Sequence, residues 1–409
     1  MRQLIILEMA SSFNTNGVSR YIEMLISGIN QYYYNNYDVI YIKLQYYNNI
    51  ILPKIINHNN YVEIIVPLPE EIGQLIKHEY WNSSYNELIY HLLSDYISGD
   101  SIVHIHTMNL IDLALLIKRQ KQCIIISHIH CIPWKYLYSS DIHKFNYLYK
   151  KTELEKEYPM NAICRLFSDV EIKLVTQSDF LICVTKNAKN FYERYFGPIK
   201  KSCCIYNGVY DKKKRRSIKK TGSTRILYVG ALTEEKGVIA LLQVVSRIID
   251  ENKYDIVLSL VGNADNKILE LLSTKYNNTR IRYFGHMNNE QLQNMYSTCD
   301  IGVIPSLFEQ CSYVALEMIM NKIPVVYAKN ESLEEIFLSE CGLPFQEEYS
   351  VQNGLYLNLQ DFYDKLIVLI ENVELREYLS RKAGKRYKEH FTTEKMIRQT
   401  INIYQRCLK

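Results

Sequence analysis

Asp300-Ile-Gly-Val-Ile-Pro-Ser306, followed by Glu309-Gln-Cys-Ser-Tyr-Val-Ala-Leu-Glu317, carries the reading of this chain. The first part is a short apolar run stopped by proline and serine, the pattern of a buried strand that feeds a loop. Val314, Leu316, Met318 and Ile319 then continue as an apolar helix expected to begin near Ser312. The unit is therefore strand, loop, helix N-terminus. At a rise of about 1.5 Å per residue, Glu317 falls more than one turn inside that helix, while Glu309 stays on the loop. The N–H groups of the first turn, at Ser312, Tyr313 and Val314, lie between the two carboxylates and favour an anion such as a phosphate. A diphosphate held there would have an acidic side chain on either flank, each able to accept hydrogen bonds from sugar hydroxyls. The bland alternative is an amphipathic helix whose glutamates meet only solvent.

The same alternation runs through the rest of the chain. In the first half, Gln3–Met9 reads as a continuous apolar strand, followed by the loop Ala10–Gly17 and helical spacing over Val18–Ile29. Further strands are expected at 37–44, 61–66, 101–106, 123–129, 180–184 and 202–206, with helices at 70–97, 110–118, 136–177 and 186–196. The second half restarts the pattern, with strands expected at 225–229, 255–261, 280–284, 300–304, 324–327 and 343–345 and helices between them. From Leu359 onward the spacing is helical throughout. Such alternation makes parallel, doubly wound α/β sheets, whose ligands bind at the carboxyl ends of the strands. A chain of 409 residues exceeds what one core serves, so two domains are expected, 1–210 and 223–390, with a linker at 211–222.

Composition narrows the partners. Ten cysteines are scattered without a C-x-x-C, which suits buried thiols in a reducing compartment better than disulfides or zinc sites. The apolar start is too short for a signal peptide, and no run approaches the ~20 residues that span a bilayer. A cytoplasmic location is expected. Asp211–Lys220 carries seven Lys or Arg against one Asp, more than the whole net charge of +4. The basic excess thus sits in the linker and not in folded elements interleaved with aromatics, so no nucleic-acid partner is expected. Two readings of Lys212–Lys220 stay open. One is a solvated linker; the other is peripheral contact with the inner membrane face, at about 1 kcal/mol per basic residue.

Three further motifs carry chemistry. In Tyr228-Val-Gly230-Ala-Leu-Thr-Glu-Glu-Lys236-Gly237 a strand ends at Gly230, where the backbone must turn or admit a ligand, and Lys236 brings a cation to the loop. Asn14-Thr-Asn-Gly17-Val-Ser-Arg20 follows the first strand and opens a helix, with Gly17 its single glycine. His104-Ile-His106 and His128-Ile-His130 each end an apolar strand, where residues two apart face one side and offer two imidazoles to one ligand. No Asp/Glu set at ligand spacing accompanies them, so no metal is expected.

Taken in order, Gly230 with Lys236-Gly237, Pro305-Ser306 and the Glu309/Glu317 pair resemble the nucleotide-sugar site of the retaining GT-B glycosyltransferases of family four, the glycogen-synthase-like group (glycosyl transferases group 1). The resemblance implies two Rossmann-like doubly wound domains facing a cleft, the first on the acceptor side and the second holding the donor. It implies that the last helix, 391–409, crosses back onto the first domain, and that Asn207-Gly208-Val209 is the hinge turn. The implied reaction is a metal-independent, cofactor-free transfer of sugar from a UDP- or GDP-linked donor. Lys236 and the helix start at Ser312, Tyr313 and Val314 would steady the diphosphate, and Gly17 and Gly230 would let the donor approach. Glu317 would hold the ribose, Glu309 a sugar hydroxyl, and His130 the transferred sugar, with His106 beside it on the acceptor side. The implied acceptor is a glycan or lipid-linked intermediate of surface polysaccharide synthesis; a protein or peptide stays open. One position departs from the family pattern. Ala231 stands where the family has arginine, which removes a charge-assisted contact of about 1.5–3 kcal/mol. That departure motivates an alternative, a non-catalytic GT-B subunit that binds acceptor or partner.

Overall fold

The computed structural model describes residues 1–10, 17–33, 35–46, 52–68, 80–133, 135, 169–199, 201–210, 222–350 and 354–407. The loop 11–16, the beginning of the expected 70–97 helix, most of the 136–177 helix and the basic linker lie outside the described residues. The chain divides into two compact units. The first comprises Met1–Cys131, Lys156–Asn207 and Thr393–Lys409; the second comprises Ile132–Glu155 and Gly208–Thr392.

The first unit is built on β1 (Arg2–Ala10), β2 (Tyr37–Tyr46), β3 (Lys54–Asn57), β4 (Val62–Leu68), β5 (Ile102–Ile105), β6 (Ile124–Ile129), β7 (Phe180–Cys183) and β8 (Ser202–Cys204). They form one sheet in the order β3-β4-β2-β1-β5-β6-β7-β8, parallel except for the β3–β4 pair. A parallel sheet covered on both faces selects unbroken apolar strands, and Leu4, Ile5, Ile6 and Leu7 of β1 are fully buried. The helix Gly17–Tyr32 packs against the C-terminal helix Thr393–Cys407 so tightly that a Cβ on Gly28 would lie 1.8 Å from Ile397 Cδ1. The last helix of the chain is thus part of the first unit's core.

The second unit carries β9 (Thr224–Val229), β10 (Ile256–Val261), β11 (Ile281–Tyr283), β12 (Ile301–Ile304), β13 (Val325–Ala328) and β14 (Gly342–Phe345) in the parallel order β11-β10-β9-β12-β13-β14. The helix Val238–Asp250 buries Val238, Leu241, Leu242, Val245 and Ile248, the i, i+3, i+4 stripe that a helix lays on a sheet. The strand order reverses at β9, which lies between β10 and β12. The loops leaving β9 and β12 therefore open side by side, at the switch point where such sheets bind ligands.

The structure departs from the sequence reading at short or exposed elements. The edge strand β3 and the hairpin of β15 (Glu347–Ser350) and β16 (Gly354–Leu357) went unread, being four residues each and lacking a continuous apolar run. The helical tail is three helices, Leu359–Glu371, Val373–His390 and Thr393–Cys407, the second capped by the Asn372 side chain. Ile132–Glu155 groups with the second unit and not with 1–210, and Lys135 there pairs with the Glu331 carboxylate.

One buried carboxyl gives the first unit a pH signature. Glu171 is 4% exposed and accepts a hydrogen bond from the Tyr192 hydroxyl at 2.5 Å. Burial pushes its carboxyl up to about 7, against the Tyr192 bond, which pulls it down. The folded chain therefore keeps a proton that the unfolded chain has released, and this stability is present below the ordinary carboxyl range and lost as pH rises towards 7. Glu171→Gln is expected to stabilise the protein by about 1–3 kcal/mol at pH 8 and little at pH 4.5. Urea unfolding at both pH values checks this, and an equal gain at both would contradict it.

Candidate functional site

The floor of the site is two strand ends pressed together. β9 runs into Gly230 at φ +144° and β10 into Gly262 at φ +137°. A Cβ on Gly262 would stand 1.8 Å from the Gly230 carbonyl oxygen, so only glycine lets the two backbones meet. The ladder continues past the strands, with Gly230 N–H donating to Val261 O (3.0 Å) and Leu232 N–H to Asn263 O (2.7 Å). Buried Tyr228 donates its hydroxyl to the Ala231 carbonyl at 2.6 Å. Burial, reinforced by the Glu309 and Glu235 carboxylates, lifts this phenol far above its ordinary value and keeps it a donor.

A third glycine joins the two loops. Gly237, at φ +71°, caps the helix Val238–Asp250, and a Cβ there would fall 2.0 Å from the Pro305 carbonyl oxygen. This contact locks the loop after β9 onto the loop after β12. It sets Lys236 Nζ 2.8 Å from Glu309 Oε1 and 3.5 Å from the Phe308 carbonyl oxygen. Both side chains remain partly exposed, 29% and 17%, so the pair adds little stability. Its consequence is positional: a cation and a carboxylate are held together at the loop mouth.

Ser312 caps the helix Tyr313–Met320, its side chain accepting from Ala315 N–H at 3.4 Å. Glu317 lies just over a turn in, 3% exposed, and its Oε2 accepts from the Tyr296 hydroxyl at 2.8 Å. A glutamate on a solvated helix face would be exposed, so the bland reading does not hold for Glu317. The Ser306 carbonyl accepts from Asn330 Nδ2 at 3.0 Å, which pins the loop to the next helix cap. Thr233 Oγ1, on the Lys236 loop, is buried with no hydrogen-bond partner among the described residues. Ala231 is exposed at the start of that loop and supplies no cation.

Lys236 and Glu309 thus meet at the loop mouth, Ser312 opens the helix three residues further on, and Glu317 is buried one turn inside it against Tyr296. Sequence reasoning missed Gly262, Tyr296 and Asn330. Gly262 was legible, since it ends an apolar strand just as Gly230 does. Tyr296 was not, being one tyrosine among 35.

In the first unit the two His-x-His strand ends form a single cluster. The β5–β6 register pairs His104 with Ile126 and Ile105 with Ser127, which carries both histidine pairs onto the same face. His106 Nδ1 lies 2.9 Å from His130 Nε2, and His104 Nδ1 lies 2.7 Å from the Tyr404 hydroxyl. The His128 and His130 rings stack at 4.3 Å and 7°, and Tyr21 meets His128 edge-on at 4.6 Å. Burial, with mutual repulsion added for three of them, holds all four imidazoles neutral, His104 and His130 down to about 3. Gly17 is exposed at the first turn of the helix Gly17–Tyr32.

Among the described residues nine cysteines are free thiols, and no helix is long and apolar enough to cross a membrane.

Known proteins resemble this chain in sequence and in fold. Residues 209–386 match the sequence profile described as glycosyl transferases group 1. An uncharacterized glycosyltransferase of Methanocaldococcus jannaschii is 26% identical over 183 residues, a match covering 44% of each chain. The alignment thus spans less than half the length of that curated relative. Sucrose-phosphate synthase from Thermosynechococcus elongatus superposes with a TM-score of 0.75 at 16% identity, covering 99% of both chains. The Anabaena protein HepE, solved with UDP-glucose, gives 0.68 at 13% identity, covering 99% of this chain and all of that one. The fold is GT-B.

Proposed function

We propose, from the premise that this chain belongs through residues 209–386 to the glycosyl transferases group 1 family, that it transfers a sugar from a UDP- or GDP-linked donor to an acceptor with retention of anomeric configuration. The observation that carries this reading is the Lys236–Glu309 contact beside the Ser312 cap. A diphosphate entering there competes with Glu309 for the ammonium and meets the positive end of the helix Tyr313–Met320. Glu309, released, accepts from a sugar hydroxyl. Glu317, oriented by Tyr296, takes the ribose hydroxyls. When the sugar–phosphate C–O bond breaks, negative charge grows on the leaving diphosphate, and Lys236 with the helix terminus stabilises it in place of a metal. His130 serves the acceptor side, with His106 behind it, Nδ1 2.9 Å from His130 Nε2. A fold relative solved with UDP-glucose supports the donor class. The acceptor is a glycan or lipid-linked intermediate of surface polysaccharide synthesis in this reading, with Lys212–Lys220 drawing the chain to an anionic membrane face.

The test is release of nucleotide diphosphate from a panel of UDP- and GDP-sugars by the full chain. Glu317→Ala is expected to weaken donor binding about 10–100-fold, matching loss of a charge-assisted contact of ~1.5–3 kcal/mol, without loss of fold by circular dichroism. Undiminished binding in that variant would remove Glu317 from the site. A second reading, a non-catalytic subunit, is favoured by Ala231. It prevails if no donor yields diphosphate while an acceptor or partner still binds.

A further inference from the structure

The histidine cluster does more than the transfer reaction asks of it. We infer that His104, His106 and His128 form a binding site for one divalent transition-metal ion, Zn²⁺ foremost. One ligand nitrogen from each of the three lies within 4.8 Å of the others. His104 Nε2, His106 Nε2 and both His128 ring nitrogens are buried without a hydrogen-bond partner among the described residues. Each such orphan costs about 1–3 kcal/mol, and several pointing together call for a shared ligand. The outer contacts fit as well. With the proton on Nδ1, His106 donates to His130 and His104 donates to the Tyr404 hydroxyl, which leaves a buried lone pair on each Nε2. Zinc-binding imidazoles are oriented in this way, by a hydrogen bond from the ring N–H that faces away from the ion. Tetrahedral Zn–N bonds of about 2.0–2.1 Å put ligand atoms ~3.4 Å apart, so the rings need only draw inward.

The donor set selects the ion. Three neutral imidazoles suit Zn²⁺, Cu²⁺ or Ni²⁺, whereas Mg²⁺ and Ca²⁺ require oxygen ligands. The sequence-based expectation of no metal rested on a missing acidic residue, and the structure supplies one. β1 pairs Leu7 with Ile105, so the next residue, Glu8, stands beside His106 on the same face. Glu8 is fully buried, and its two oxygens accept from Ser19 Oγ at 2.5 Å and from the Tyr41 hydroxyl. It escaped notice because it is embedded in the apolar run of β1. His130 is the most exposed of the four histidines. The site ties the ends of β5 and β6 together and, through Tyr404, to the C-terminal helix.

The experiment uses the full chain, stripped with chelator, dialysed and titrated with Zn²⁺ alone, then separately with Co²⁺, Cu²⁺ and Mg²⁺. Expected are one Zn²⁺ per chain, no Mg²⁺ uptake, and a raised melting temperature with Zn²⁺. The Cu²⁺ form should show nitrogen hyperfine splitting by electron paramagnetic resonance. Tyr404→Phe should weaken Zn²⁺ about 10–100-fold, as loss of an outer-shell partner does, and His106→Gln with His128→Gln by more than that. His58→Gln, on an exposed histidine, should change nothing. The inference is overturned if the wild-type chain takes up no Zn²⁺ or if the double variant binds as tightly as wild type. A sulfur-to-cobalt charge-transfer band would also overturn it, placing the ion on the free cysteines. The spectra on the wild-type chain decide the matter even if the double variant fails to fold.

Discussion

Lys236→Ala is expected to lower turnover by about 10²–10³ while the fold survives, the usual cost of removing one preorganised group from a developing charge. The side chain is partly exposed and its ion pair is a surface contact, so stability should change by no more than about 1 kcal/mol. The loss should fall on kcat more than on KM, because the diphosphate carries more charge in the transition state than in the bound donor. Lys236→Arg should recover part of the rate. Its guanidinium keeps the charge but spreads it over a larger planar group than the ammonium that now meets Glu309 and Phe308 O. Glu309→Gln tests the partner, and a double-mutant cycle separates the pair from its parts. Turnover near wild type in Lys236→Ala would leave the proposed transfer without its cation.

The second large effect is expected from Gly237→Ala. Two costs combine there. A left-handed backbone at φ +71° costs a non-glycine residue about 1–2 kcal/mol. The added Cβ would also stand 2.0 Å from the Pro305 carbonyl oxygen, a backbone atom that cannot rotate away. A total loss of at least ~3 kcal/mol is expected, within the range of strongly destabilising substitutions. Gly285→Ala isolates the first cost, since Gly285 has φ +66° and nothing within 4 Å of its would-be Cβ. The two variants, compared by urea unfolding, should differ by the Pro305 clash alone. Equal losses would show that the two loops are not locked at this point. If they are locked, Gly237→Ala also displaces Lys236 from Glu309 and lowers activity beyond the stability effect.

The parts of the fold that were legible in the sequence are those where burial on both faces dictates residue type. β1, β9, β10 and β12 read directly because a covered parallel strand must be apolar throughout. β3 and the β15–β16 hairpin were opaque because edge and surface strands are under no such demand. The site divides along the same line. Lys236, Glu309 and Glu317 were singled out from spacing around strand ends and a helix start, features local in sequence. Tyr296, which holds Glu317, arrives from 21 residues away and carries no local signal. The histidine pairs were visible as strand-end doublets. Their convergence was not, because it depends on β5 and β6 being neighbours, a fact of sheet order and not of either segment.

The helix Thr393–Cys407 fills the first unit from the far end of the chain, seating Ile397 against Gly28 and Tyr404 against His104. During synthesis, the opening half of the chain must therefore wait for the helix Thr393–Cys407 to be made. At roughly 5–20 residues per second that interval is on the order of 10–40 s. Throughout it the nascent sheet presents an uncovered apolar face, the circumstance in which molecular chaperones are recruited. Premature termination just before this helix would release a product that can never bury that face.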